Sequence, residues 1–153
     1  MLKILFVCYG NICRSPIAEF VCAKKLKDLK IDAIVKSSAT SQEELGNPVY
    51  WATAKILDRL NVDYSKKRAE KFTKNDGNLY DFIIGMEQSN VRAIKRIVGD
   101  NSPAKVMRLL DFTTTPQDIA DPWYTRDFEL TYKQIDNGTD CLIEYLKENG
   151  YIY

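Results

Sequence analysis

The sequence predicts an α/β fold, a single domain over residues 1–153 built on a four-stranded parallel sheet with helices on both faces. Three observations predict it. Short apolar runs bounded by turn residues occur four times, as expected of strands covered on both sides. Segments with apolar residues at helical spacing separate them, so the order is β-α-β-α-β-α-β, and a last amphipathic helix closes the chain. A length of 153 residues is enough for one working core of ordinary size.

The first strand is residues 3–8, a run without a polar break after Lys3. Ser15-Pro16 then carry an N-terminal helix signal, and Ala18, Cys22, Leu26 and Leu29 recur on one helical face. Residues 33–37 form a second strand, and Asn47-Pro48 start a helix whose apolar face is Ala52, Ile56, Leu57 and Leu60. Residues 80–85 and 105–110 are the third and fourth strands, with Val91, Ile94 and Val98 marking the helix between them. Phe128, Tyr132, Ile135, Thr139, Leu142 and Leu146 step by four and three along the closing helix, which therefore docks on the sheet. The arrangement is Rossmann-like or flavodoxin-like. In such sheets ligands bind outside the carboxyl ends of the strands, so function is sought in the loops that follow them.

Composition excludes several classes. Lys plus Arg number 22 against 21 Asp plus Glu, a net charge of +1, so no basic field invites nucleic acid and any anion binding must be local. The longest apolar stretch, residues 4–8, is too short to span a membrane and makes a poor signal peptide, so a cytoplasmic protein with no membrane partner is expected. Histidine is absent, which removes Ser-His-Asp and Cys-His pairs and the commonest metal ligand. Cys8, Cys13, Cys22 and Cys141 contain no C-x-x-C pair and are too few and uneven for a disulfide framework. Reduced thiols, no metal and no cofactor are the expectation.

The loop after the first strand reads Cys8-Tyr-Gly-Asn-Ile-Cys-Arg-Ser15, a C-x5-R-S pattern between a buried strand and a helix. Such a loop can curl its amides around one tetrahedral anion, with the helix N-terminus and the planar fork of Arg14 adding positive charge. The same dipoles stabilise a thiolate, so Cys8 is expected to be nucleophilic at neutral pH without a histidine. Gly10 and Asn11 suit positive φ. No Gly-Lys-Ser/Thr or G-x-G-x-x-G occurs in the loop, which disfavours nucleotide loops.

Residues 7–16 resemble the signature of the low-molecular-weight protein tyrosine phosphatases. Ser37-Ser-Ala-Thr-Ser41 with Gly46-Asn-Pro48, residues 80–86 with Asn90, and Asp121-Pro-Trp-Tyr124 resemble further family segments in the family's order. The resemblance implies that Cys8 is the nucleophile and that the amides of Tyr9, Gly10, Asn11, Ile12, Cys13 and Arg14, with the Arg14 side chain, bind the phosphoryl group. It implies that Ser15 hydrogen-bonds the Cys8 sulfur and that Asn11, with Ser37, holds the loop in shape. Asp121 matches the general acid, although taken alone Asp121-Pro122 is a common turn pair. Trp123 and Tyr124 match an aromatic wall, and Ile12 a slot floor. Glu43 and Glu44 match variable rim positions and suggest basic residues beside the phosphotyrosine, or are two solvated loop glutamates. Cys13 matches a second cysteine that can trap an oxidised nucleophile. The implied partners are a tyrosine-phosphorylated protein and, in the loop, inorganic phosphate or other oxyanions.

One departure is visible. Where many relatives carry a histidine that supports Asn11, this chain has Ser65-Lys66-Lys67-Arg68, a run expected to be a solvated basic face. Three other readings stay open. An arsenate-reductase-like enzyme would need two more cysteines near the third strand, and residues 80–92 contain none. A phosphoarginine phosphatase would favour threonine where Ile12 stands. A non-catalytic phosphate-binding module would not need Asp121.

Overall fold

In the computed structural model, which describes residues 1–153, strand β1 (Leu2–Cys8) lies between β2 (Ala33–Ala39) and β3 (Phe82–Gly85), and β4 (Lys105–Arg108) closes the sheet. All pairs are parallel and the order is β2-β1-β3-β4, so the four-stranded parallel sheet is as expected. β1 is central because both its faces are apolar. Ile4, Phe6 and Cys8 join the core under α1 (Arg14–Asp28), α2 (Trp51–Arg59) and α6 (Phe128–Glu148), while Leu5 and Val7 face Ile94 and Val98 of α4 (Gln88–Val98). Val7 pairs with Gly85 and Cys8 with Ala39, so the central strands end at one level and their loops converge on one edge.

The closing helix docks as its stripe requires, with Ile135, Thr139, Leu142 and Leu146 buried. Lys25 ties it to α1: its Nζ donates to the Asp136 carbonyl (2.8 Å) and Thr139 Oγ1 (2.7 Å) and pairs with the carboxylates of Asp136 (2.7 Å) and Asp140 (2.8 Å). Gly138 lets α6 approach closely, since a Cβ there would lie 2.7 Å from Leu109 Cγ and 3.0 Å from Leu109 Cδ2. Leu109 is fully buried and cannot withdraw. Gly138→Ala gains helix propensity but overpacks the contact, and a net loss of about 1–2 kcal/mol is expected. Thermal melting should show Tm lower by roughly 2–8 °C, and an unchanged or raised Tm would contradict the packing argument.

Several expected boundaries move for local reasons. The third strand starts at Phe82 rather than residue 80. The fourth ends at Arg108 rather than residue 110, because the Arg108 amide donates to Asp111 Oδ2 (2.9 Å) and starts the 3-10 turn Leu109–Phe112, which tucks Leu109 and Leu110 under α6. Pro48 pairs with Arg68 in an isolated bridge, so α2 begins at Trp51 and not at Asn47-Pro48. Leu29 is the exposed C-cap residue of α1, not part of its buried face. The short helices α3 (Asp76–Leu79) and α5 (Pro122–Thr125) carry no periodic signal and were not expected. No helix is long and apolar enough to cross a membrane.

Candidate active site

The loop of residues 9–13 leaves β1 and enters α1 directly, and its neighbours hold it. Thr40 N donates to Cys8 O (3.0 Å), Ser41 N to Tyr9 O (3.1 Å) and Tyr50 N to Ile12 O (3.0 Å). Asn11 takes the left-handed conformation with φ 60°. Gly10 does not have positive φ, and an added Cβ would meet Glu44 Cγ at 3.4 Å and Ile12 Cγ1 at 3.9 Å, both ordinary contacts, so the expectation of backbone need at Gly10 is corrected. Ser15 is not the helix cap. Cys13 occupies that position without a side-chain cap, so the first amides of α1 are left for a ligand.

Cys8 sits at the base of a cleft of about 220 Å³ lined by Tyr9, Gly10, Asn11, Ile12, Cys13, Arg14, Glu43, Glu44, Asp121, Trp123 and Tyr124. The structure thus brings together every pocket residue picked out from the sequence, with Ser15 and Ser37 behind them. A larger hollow of about 440 Å³ between the end of α1 and β2 has no cysteine, serine or threonine on its wall. The Cys8 sulfur lies 2.9 Å from Ser15 Oγ and accepts the Asn11 amide at 3.2 Å. Asn11 Nδ2 donates to Ser15 Oγ (2.8 Å) and Ser37 Oγ (2.9 Å), and its Oδ1 accepts the Glu70 amide (3.1 Å).

Arg14 is buried. Its Nη1 donates to Glu87 Oε2 (3.1 Å) and the Ile119 carbonyl (3.0 Å), and its Nη2 to Asp121 Oδ2 (3.3 Å). Asp121 is the N-cap of α5, where Oδ1 accepts the Trp123 amide (3.0 Å). One carboxylate therefore faces both the arginine fork and the cleft. Trp123 is half-exposed and meets Tyr50 edge-on at 5.1 Å, and Tyr124 is 83% exposed. At the opposite rim the Tyr9 hydroxyl donates to Glu43 (2.8 Å), which pushes its pKa up, and Asn47 Nδ2 donates to Glu44 (2.6 Å).

The four thiols are free. Burial pushes the Cys13 thiol up to about 12, and Cys22 likewise to about 12, so both remain protonated at neutral pH. Cys22 belongs to the core beneath α1, as its helical position predicts.

Three functional neighbours were not legible in the sequence. Glu87 precedes α4 and reads as a helix-start acid, yet it holds Arg14. Glu19 lies within α1 and is buried, with Ser37 Oγ donating to it at 2.5 Å. Lys67 corrects the solvated reading of the basic run: its side chain is 9% exposed, pairs with Glu19 at 3.4 Å and donates to the Ser37 carbonyl at 2.8 Å. Lys66 and Arg68 do face solvent.

Comparison with known proteins agrees with this geometry. The family model described as low molecular weight phosphotyrosine protein phosphatase matches residues 3–151. A low molecular weight protein-tyrosine-phosphatase PtpA of Staphylococcus saprophyticus is 40% identical over 148 residues, covering 95% of this chain and 94% of the relative. Among solved structures, YfkJ from Bacillus subtilis superposes with TM-score 0.86 at 32% identity, over 97% of this chain and 96% of that one. A low molecular weight protein tyrosine phosphatase from Streptococcus pyogenes, SP-PTP, gives 0.82 at 36% identity, over 97% and 93%. Matched over nearly its whole length by the family model and by relatives of about 40% identity, this chain belongs to the low molecular weight phosphotyrosine protein phosphatase family.

Proposed function

We propose that the chain hydrolyses phosphotyrosine in proteins, with Cys8 as nucleophile, Arg14 and the amides of residues 9–14 as the phosphoryl cradle, and Asp121 as general acid and then base. The observation that carries this reading is the Cys8 sulfur at the cleft base, with hydrogen-bond partners at 2.9 and 3.2 Å, below a rim that includes Asp121. In the first step the thiolate attacks phosphorus. A P–S bond forms, the P–O bond to the aryl group breaks, and Asp121 gives its proton to the departing phenolate. In the second step Asp121 takes a proton from the attacking water, the P–S bond breaks, and inorganic phosphate and the thiolate are released. One carboxylate serves both halves, which suits a chain without histidine.

Ile12, Trp123 and Tyr124 would flank the phenyl ring, and an apolar Ile12 favours an aromatic over a guanidino substrate. Glu43 and Glu44 put negative charge at the rim, which favours basic residues beside the phosphotyrosine. A reducing compartment, the cytoplasm, fits a nucleophile that must remain a thiol.

An assay of phosphotyrosine, phosphoserine and phosphoarginine peptides, each flanked by Lys or by Glu, tests this reading. Phosphotyrosine flanked by Lys should have the highest kcat/KM, chelator should not inhibit, and vanadate should. A preference for phosphoarginine, or a requirement for added divalent metal, would overturn it.

A further inference from the structure

Behind the loop, away from the cleft, a line of polar contacts runs from Lys67 to the Cys8 sulfur. Lys67 and Glu19 are nearly buried, with side chains 9% and 10% exposed, and Lys67 is the only cation within ion-pair distance of Glu19. Lys36, Asp63, Lys66, Arg68, Glu70 and Tyr80 share the hollow beside this pair, and none of them replaces Lys67 there.

Following the hydrogens assigns a direction to the line. Glu19, as a carboxylate, only accepts, so Ser37 spends its single hydroxyl hydrogen on it. Ser37 Oγ is then an acceptor and takes one hydrogen of Asn11 Nδ2. Asn11 cannot turn its amide over, because Oδ1 receives the Glu70 amide hydrogen. The second Nδ2 hydrogen goes to Ser15 Oγ, and Ser15 is left to aim its own hydrogen at the Cys8 sulfur 2.9 Å away. A thiolate, with no hydrogen of its own, is the form of sulfur this arrangement favours.

We propose that Lys67 is a positioning residue for the phosphatase reaction: by neutralising buried Glu19 and holding the Ser37 carbonyl, it keeps the Ser15 hydroxyl directed at Cys8. The inference rests on the reading of Cys8 as nucleophile. Without Lys67 the Glu19 carboxylate is buried with no counter-charge, an unfavourable state that adds uncompensated negative charge behind the thiolate or releases Ser37 from its fixed orientation. Both outcomes weaken the thiolate. On the cleft side Tyr9, Cys13, Arg14, Glu43, Glu44, Asp121 and Tyr124 are the titratable groups that line the cleft with Cys8, and none of them is altered by a substitution at Lys67.

The test measures iodoacetate alkylation of the Cys8 peptide by mass spectrometry as a function of pH, beside steady-state turnover of an aryl phosphate. In Lys67→Met the pH midpoint of alkylation should rise by about half to one unit, so that alkylation at pH values below both midpoints is slower by about three- to tenfold. In that same acidic range kcat should fall by a similar factor of about three to ten, while KM changes by less than about twofold. Lys67→Gln, which keeps a donor but no charge, should shift the same way if Lys67→Met folds poorly, and Lys67→Arg should recover most of the midpoint. Ser37→Ala should raise the midpoint similarly, and its combination with Lys67→Met should add nothing further, because both break one line. A lysine with only a structural role would lower Tm and the yield of active enzyme and leave the midpoint in place. Wild-type midpoints in Lys67→Met and Lys67→Gln, or additive shifts in the double variant, would overturn the proposal. Alkylation needs no turnover, so a chain that shows the shift but hydrolyses no aryl phosphate would contradict the proposed function and leave the relay standing.

Discussion

Cys8→Ser is expected to reduce aryl phosphate turnover by about 10⁴-fold or more while leaving oxyanion binding nearly intact. A serine hydroxyl is a weak nucleophile until a base removes its proton, and this chain has no histidine to do so. The hydrogen bonds that hold a thiolate, from Asn11 N and the Ser15 hydroxyl, are too few to hold an alkoxide at neutral pH. The anion cradle does not depend on the sulfur. Arg14 is fixed by Glu87 and the Ile119 carbonyl, and the α1 N-terminus is unchanged. Titration with inorganic phosphate, followed by calorimetry, should therefore give a Kd within a few-fold of wild type. Turnover by Cys8→Ser at near wild-type rate would remove covalent catalysis from the account.

The second large effect is at Asp121. Tyrosine, with a pKa near 10, leaves poorly as an anion, and a positioned acid is worth about 10²- to 10⁴-fold. Asp121→Asn should slow phosphotyrosine hydrolysis by that range, and less for aryl groups of lower pKa. The structure makes this substitution a clean chemical test. Asparagine caps a helix as well as aspartate does, so its Oδ1 can still accept the Trp123 amide and keep α5 in place. It loses the proton, the charge and the Oδ2 acceptor that faces Arg14 Nη2. The charge also matters before substrate arrives, because Asp121 pairs with Arg14 Nη2 and a phosphoryl dianion would compete with it for that donor. KM for Asp121→Asn should accordingly be unchanged or lower. Equal rates for wild type and Asp121→Asn across a leaving-group series would assign the acid to another residue.

Legibility in the sequence followed the range of the interactions. β1, its loop and the start of α1 are contiguous, so their chemistry is written in residues 3–16 and the structure only closes the geometry. The parallel sheet follows from buried strands alternating with helices, and the docking of α6 from its own stripe. Boundaries failed where a competing interaction acted: Asp111, three residues on, ended β4, and the bridge from Pro48 to the distant Arg68 delayed α2. The parts of the site that were missed are all made by distant partners. Nothing local distinguishes Lys67 from Lys66 and Arg68 in one basic run, since only the buried Glu19 of α1 selects which lysine turns inward. Glu19 is equally silent, because an acid within a helix reads as solvated until its cation is known. Glu87 reads as the first acid of α4, and only the fold brings it to Arg14. Gly10 was misread for the opposite reason, because a glycine in a tight loop suggests positive φ and Asn11 alone supplies it.

Transfer of the phosphoryl group to the Cys8 sulfur can be seen by trapping the P–S bond. In Asp121→Asn, with an aryl phosphate whose leaving group needs no protonation, the first step should outrun the second, which lacks its base. Rapid acid quenching followed by mass spectrometry of the Cys8 peptide should then find one phosphoryl group on sulfur, with a burst of phenol close to one equivalent per enzyme. A phosphoryl group on Ser15 or another residue, or a burst-free time course with no modified peptide, would contradict the account.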